Sequence, residues 1–415
     1  MSAIASVLHR LPQLSLVSIC WLALLLRVVW ALLVPVVPLS DSAAYDVFAQ
    51  NIWLHGTYGW QPDEPTSYWP VGTSAIYAAC FWLFGHTYWP IVIFNIFCSL
   101  GVIVYTKHLV VRFLGSEPMA MLAALLLALW PTLIFFTTVL ASELPYTLLV
   151  LAAFYHLTDK QAKILVPGLI AGGLFAAAYY VRPLAIVPLA IALFCLVMER
   201  RNLWLIVGRG LLVVTLLALL VAPWAYRNYQ LYGAFVSMST NGGATLWMGN
   251  HPGTEGGYAD LPADVEGLDE YTRNQVLKQR ALDNIKAEPV AFVTRTLMKL
   301  VKFHTRETIG ITWNEGGLTQ RFGSWVVTPL KAVGQLYWMA ALALAFIGMI
   351  LYWRQQGFWS LAFNPFILLW SSAAAIHAII VAQDRYHIPI VPMVAIFAAY
   401  GIHYFGRKNR TVIDG

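Results

Sequence analysis

The chain has 415 residues, 59% of them hydrophobic and only 11% charged, with a mean hydropathy of +0.66. Soluble domains carry roughly 25% charged residues, so the composition excludes a soluble globular protein and implies a polytopic membrane protein. The net charge of +6 does not point to nucleic acid, because the basic residues sit beside apolar runs, where they orient a chain in a membrane.

About 20 apolar residues span a bilayer. Ten such spans are expected, near residues 14–37, 88–107, 118–138, 143–158, 164–181, 184–198, 203–223, 328–352, 359–381 and 387–405. The first run lacks a small-residue cleavage site and is expected to stay as an anchor. With a cytoplasmic start, Lys107 and Arg112, Lys160 and Lys163, Arg200 and Arg201, Arg354, and Arg407, Lys408 and Arg410 all fall inside, and the short outer loops hold only Arg182 and Arg385. This orientation predicts a multi-pass protein of the cytoplasmic membrane whose active site is on the outer, periplasmic face. Cys20, Cys80, Cys98 and Cys195 lie in apolar runs at wide spacing, so no disulfide framework or zinc site is expected.

The stretch after the first span organises the chain. It reads LSDSAAYDVFAQNIWLHGTYGWQPDEPTSYWPVG from Leu39 to Gly72 and carries Asp41, Asp46, Asp63 and Glu64. Ser40 and Asp41 are suited to start a helix. Tyr45, Phe48, Ala49 and Ile52 follow at helical spacing, and Gly56 closes the pattern. A short amphipathic helix at the membrane surface is therefore expected. Val71–Gly85 is too short to span and is read as a second surface or re-entrant helix packed on the first.

Residues 224–327 form the one large outer segment. It opens with Trp224, Arg227 and Asn228, and continues through the glycine-rich stretch Asn241–Tyr258, which reads as a loop and lacks the GK[ST] of a phosphate-binding loop. A helical run then follows, and residues 290–311 read as an interfacial helix. The resulting division is an N-terminal transmembrane catalytic module (1–223, with the acidic first outer loop at 38–87), the outer region (224–327), and C-terminal transmembrane helices (328–415).

Ionisable residues in or beside spans are costly and default to functional hypotheses. Asp41, Glu143, Arg182, Arg227 and Arg385 all fall at outer ends of the expected spans. Carboxylates serve as general bases or metal ligands, and the arginine fork suits phosphate. Each has a plainer reading. Asp41 could only cap its helix, Glu143 could cap a helix or pair with an arginine, Arg182 and Arg385 could pair with Asp384 and Glu143, and Arg227 could anchor at the interface. Arg27 has no obvious partner. The 17 Trp and 20 Tyr mostly fit an interfacial belt, and Tyr68 and Trp69, beside the acidic loop, could also stack on a sugar face. No HExxH and no GxSxG occurs, which disfavours a histidine-bound metal and a serine hydrolase.

Several weak motifs in one order resemble the GT-C glycosyltransferases, specifically glycosyltransferase family 39 and the aminoarabinose-transferase-like proteins. They are Asp41, Tyr45 and Asp46 followed by Tyr68-Trp69-Pro70-Val71-Gly72; Ser142-Glu143; Arg182-Pro183; Arg227-Asn228-Tyr229 with Asn241-Gly242-Gly243 and Gly249-Asn250; and Arg385-Tyr386 with Pro389 and Pro392. The resemblance implies an all-α membrane enzyme that moves one sugar, with inversion, from a polyprenyl-phosphate donor to a lipid, glycan or protein acceptor. It makes Asp41 the base, with Glu143 as a second catalytic acid. Arg182 and Arg385 become phosphate ligands, and Tyr45, Asp46, Tyr68, Arg227 and Tyr386 further substrate-binding residues. The protein O-mannosyltransferases carry an Asp-Glu pair in the first loop, whereas Asp41 is followed by Ser42, so the acceptor stays open. The need for a divalent cation is also open. The competing classes are a flippase for lipid-linked sugars and an oligosaccharide polymerase or ligase with a lipid-diphosphate donor. A transporter would place its charges near the midplane, whereas here they cluster at one face.

Overall fold

A computed structural model describes residues 15–159, 163–199 and 202–413, with side chains given up to residue 406. The expected inner charges Lys160, Arg200 and Arg201 lie outside the described residues, as do the side chains of Arg407, Lys408 and Arg410. Among the described residues the fold is all-α apart from one small hairpin. In chain order the helices are α1 (Leu16–Leu33), α2 (Asp41–His55), α3 (Gly72–Phe84), α4 (Trp89–Leu114), α5 (Glu117–Ala128), α6 (Pro131–Phe135), α7 (Glu143–Leu157), α8 (Leu165–Val181), α9 (Ile186–Met198) and α10 (Leu203–Tyr232). They continue with α11 (Gly242–Met248), α12 (Glu270–Ala287), α13 (Pro289–Thr305), α14 (Ile309–Thr312), α15 (Glu315–Phe322), α16 (Val327–Gln356), α17 (Phe358–Ala362), α18 (Pro365–Ile379) and α19 (Val391–Ile413). A 3₁₀ turn, Asp384–Ile390, joins the last two. Strands β1 (Gly59–Gln61) and β2 (Glu64–Pro65) pair antiparallel around Pro62 and Asp63. Asp63 and Glu64 are exposed there, as solvated turn residues should be.

Among the described residues, five helices are long and apolar enough to cross a membrane: α1, α4, α10, α16 with the 3₁₀ turn before it, and α19 with the turn before it. The bent pair of α5 and Pro131–Thr138 makes a sixth if it counts as one span. Four of the five shorter apolar helices coincide with the remaining expected spans. At 15 residues, α7 is about 22 Å long, against roughly 30 Å of hydrocarbon. The fifth, α3, has 13 residues and packs on α2, as the sequence suggested.

The apolar surface locates the lipid. Only 11% of the apolar window of α10 is buried, and Leu211, Leu219 and Leu220 face outward. On α1, Trp21, Leu25 and Leu32 do the same. Water would penalise such surface, whereas acyl chains do not. The core lies along α19, whose window is 67% buried and rich in alanine. There Gly348 of α16 meets the backbone of Phe397 so closely that a Cβ would not fit.

Two expectations changed. Helix α10 does not stop at residue 223; it runs through Pro223 to Tyr232, so the start of the segment expected to lie outside is helical. The stretch read as a glycine-rich loop contains α11, because Gly242 and Gly243 are followed by the helix-compatible run Ala244–Met248. Beyond it, α13 exposes Val290, Val293, Leu297 and Val301 along one side, consistent with the interfacial helix expected there.

Candidate active site

Helix α2 begins at Asp41, directly after Ser40, whose φ of 57° lies in the left-handed region that non-glycine residues rarely occupy. Ser40 makes no side-chain cap. The Asp41 carboxylate instead reaches Arg385, with Oδ2 2.6 Å from Nη1 and only 20% and 10% of the two side chains exposed. The 3₁₀ turn between α18 and α19 presents Arg385. Its Nε donates to Gln383 Oε1 (2.9 Å), and the guanidinium lies over the rings of Trp313 (5.0 Å) and Tyr386 (5.1 Å).

Pro183 shapes the second pair. A residue before proline is pushed out of the helical region, so Arg182 is extended (φ −150°, ψ 118°) and ends α8. Its Nε donates to Ser142 Oγ at 2.8 Å, and Nη2 pairs with Glu143, the first residue of α7. The Glu143 side chain is 1% exposed. Gly72 lets α3 begin against this corner, since a Cβ there would sit 2.6 Å from the Tyr180 carbonyl carbon. The Arg182 guanidinium lies 5.9 Å from the Tyr146 ring and 5.9 Å from the Tyr386 ring. Tyr386 thus touches both arginines. Tyr45 on α2 is buried, and its phenol is raised to about 12 by burial and by the carboxylates of Asp41 and Glu143.

Beside this cluster runs a narrow groove, with a cavity volume of about 50 Å³, between α7, α9, α18 and α19. Arg182, Tyr386 and His377 stand at its polar end, and Val150, Leu151, Val187, Leu369 and Met393 line the rest. One guanidinium, that of Arg182, therefore meets an otherwise mostly aliphatic lining, and Arg385 stands on the other side of Tyr386.

The structure therefore brings together Asp41, Glu143, Arg182, Arg385, Tyr45 and Tyr386, although they come from four distant stretches. Other predicted site residues are engaged elsewhere. Asp46 accepts from Gln50 (3.0 Å) and Tyr88 (3.0 Å) and pairs with His86 (3.1 Å), tying α2 to the start of α4. Arg227 holds the loop between α2 and α3, donating to the Thr66 carbonyl and Ser67 Oγ at 2.8 Å each, with its guanidinium over Trp224. Tyr68 packs with Ala244, Val265 and Leu277, and burial raises its phenol to about 12. Asp384 pairs with Arg306 at 3.7 Å, not with Arg182 or Arg385. Arg27 is buried and donates to Ser99 Oγ and to the Ala128 and Leu127 carbonyls, which satisfies the end of α5.

The sequence did not single out Trp313, Gln383, Tyr146 or His377 as parts of the site. Gln383 and His377 flank Arg385 within eight residues, so proximity to that arginine was the available signal. Trp313 carried none. Two buried contacts hold the turn that bears Arg385. His387 donates Nδ1–H to the Phe303 carbonyl (2.9 Å) and pairs with Glu307 through Nε2. Lys299 donates to the carbonyls of Gly249 (3.0 Å) and Ile379 (2.9 Å). Among the described residues, no group of three His, Cys, Asp or Glu side chains is placed to hold a metal ion.

No protein-family model matches the chain. No curated protein matches it either. Among solved structures, the chain is similar to ArnT from Cupriavidus metallidurans bound to undecaprenyl phosphate, with 14% identity and a TM-score of 0.46 over 94% of this chain and 76% of that one. It is similar also to the apo state of the same protein, with 12% identity and a TM-score of 0.41 over 90% and 75%.

Proposed function

We propose that the chain is a membrane-embedded inverting glycosyltransferase that moves a single sugar from a polyprenyl-phosphate donor to an acceptor hydroxyl on the outer face of the cytoplasmic membrane. The observation that carries this reading is the placement of two arginines, Arg182 and Arg385, around Tyr386, with Arg182 and Tyr386 lining an apolar groove. The prenyl tail occupies the groove and the phosphate meets the guanidiniums. Planar guanidiniums give charge-assisted bonds to phosphate oxygens and stabilise the charge that grows as phosphate leaves.

Each arginine is held by a carboxylate, so donor binding is an exchange of partners. As the phosphate takes Arg385, Asp41 is freed of its counter-ion and becomes a stronger base. The acceptor oxygen then attacks the anomeric carbon from the face opposite the phosphate. The new C–O bond forms as the bond to the phosphate oxygen breaks, the electron pair leaves on the phosphate, and the acceptor proton passes to Asp41. Glu143 keeps Arg182 in place between turnovers. Whether the acceptor is a lipid, a glycan or a protein is a separate matter.

Purified protein in nanodiscs, given a polyprenyl-phosphate sugar and envelope-derived acceptors, tests this. The transferase releases polyprenyl phosphate in step with transfer of one sugar. Movement of intact donor across a bilayer with no release identifies a flippase, and consumption of a lipid-diphosphate donor alone identifies a polymerase or ligase. Either outcome rejects the proposal.

A further inference from the structure

His377 lies near the C-terminal end of α18 and has no part in the exchange described above. Its ring is stacked between Phe303 (centroids 5.8 Å apart, planes at 17°) and Tyr386 (4.4 Å, 13°). It is 9% exposed and lines the polar end of the groove beside Arg182 and Tyr386. Nδ1 is buried and has no hydrogen-bond partner among the described residues. The ring has a backbone hydrogen-bonding contact with Val381, and its charged neighbours are the guanidiniums of Arg182 and Arg385. A buried ring nitrogen without a partner is costly. A ring clamped between two others cannot turn away to find one. Phenylalanine would fill the same sandwich with no unpaired atom, so the stack alone does not account for an imidazole.

We infer that His377 Nδ1–H is a third contact for the donor headgroup, donating a hydrogen bond to a phosphate oxygen held by Arg182 and Arg385. This rests on the function proposed above. A neutral imidazole suits the role, because it adds a directional donor without adding charge to a site that already holds two guanidiniums. The two arginines neutralise the phosphate, and the stacked histidine fixes its rotation, which sets the direction in which the sugar projects toward Asp41. Free phosphate shares this chemistry, so the test separates the two sources.

The experiment measures binding of undecaprenyl phosphate to the full chain in nanodiscs, with undecaprenol and inorganic phosphate as companion probes. Three substitutions at this position are compared with Arg182→Ala. His377→Phe and His377→Leu remove the donor, the first keeping the stack, and His377→Asn restores an N–H at the position of Nδ1. A lost hydrogen bond to an ionised group predicts roughly ten-fold weaker undecaprenyl phosphate binding for Phe and Leu, unchanged undecaprenol binding, and substantial recovery with Asn. If any folded donor-less variant binds within two-fold of wild type while Arg182→Ala is impaired, the His377 contact is wrong and the proposed function stands. If Arg182→Ala also binds normally, the proposed function falls with it. Inorganic phosphate binding that depends on His377, without such dependence for the lipid, overturns the assignment to a lipid headgroup. Undecaprenol binding lost together with the phosphate form marks His377 as a wall of the groove and overturns it as well.

Discussion

Replacing Asp41 by asparagine separates its candidate roles, because the structure gives each a different signature. Asparagine starts a helix about as well as aspartate, and Ser40 rather than Asp41 occupies the cap position, so α2 should form normally. What is lost is the charge facing Arg385 at 2.6 Å. Removing one partner of a fully buried ion pair costs about 3–5 kcal/mol. Here Asp41 keeps one-fifth of its exposure, and Arg385 retains Gln383 at 2.9 Å and two aromatic faces. The amide oxygen can also still accept, so a cost of about 1–2 kcal/mol is expected, read as a small fall in melting temperature. Donor affinity moves the other way. In the wild type the phosphate must displace Asp41 from Arg385. Without that competitor, binding gains about 1 kcal/mol, or roughly five-fold. Turnover falls by 10²–10⁴ if Asp41 takes the acceptor proton. The diagnostic result is thus tighter donor binding with at least a hundred-fold lower turnover, measured by titration with donor and by release of polyprenyl phosphate. Turnover within a few-fold of wild type would show that Asp41 only positions Arg385. Weaker donor binding would refute the exchange of partners, whatever happens to the rate.

Four further outcomes are expected. Arg182→Ala strands the buried Glu143 carboxylate and should cost about 3–5 kcal/mol of stability; adding Glu143→Gln should restore much of that stability but not donor binding, as thermal unfolding and titration will show. Asp46→Asn should cost about 1–2 kcal/mol, since three contacts to α2 and the α4 approach are weakened, yet leave turnover within a few-fold; a large loss of turnover would return Asp46 to the site. Burial lowers Lys299 to about 8, so the unfolded chain binds more protons than the folded one between that pH and the ordinary lysine value of about 10.4; the stability gap between wild type and Lys299→Met should move in favour of wild type as pH rises through this window and stay flat below it. Reporter fusions after Lys163 and Arg354 should report cytoplasm and a fusion near Asp260 the outer face; a cytoplasmic signal at Asp260 would remove the orientation on which the outer-face reaction depends.

The parts of the site visible in the sequence were those governed by cost. An aspartate, a glutamate and two arginines at the ends of apolar runs stand out because lipid penalises them, and Arg182 was further marked by Pro183, which forces the helix to end there. The same rule located α2, since Gly56 in a left-handed conformation closes a pattern that begins at Asp41. Pairing was not visible, because it depends on how helices distant in sequence pack. Arg385 was open to Asp384 beside it or to Glu143, and it chose Asp41, more than three hundred residues away, because the 3₁₀ turn aims it across the bundle. The partners of Asp46 and Arg227 were hidden for the same reason. Both are polar residues beside a membrane, and their neighbours offer full sets of partners that only the folded loop assembles. His377 is the converse case. In sequence it is one histidine on an apolar helix, where the ordinary expectation is a satisfied core residue. The fold sandwiches it between two rings in the lining of the groove and leaves the buried Nδ1 without a partner, and that unmet hydrogen bond, more than the residue type, is what the proposed headgroup contact rests on.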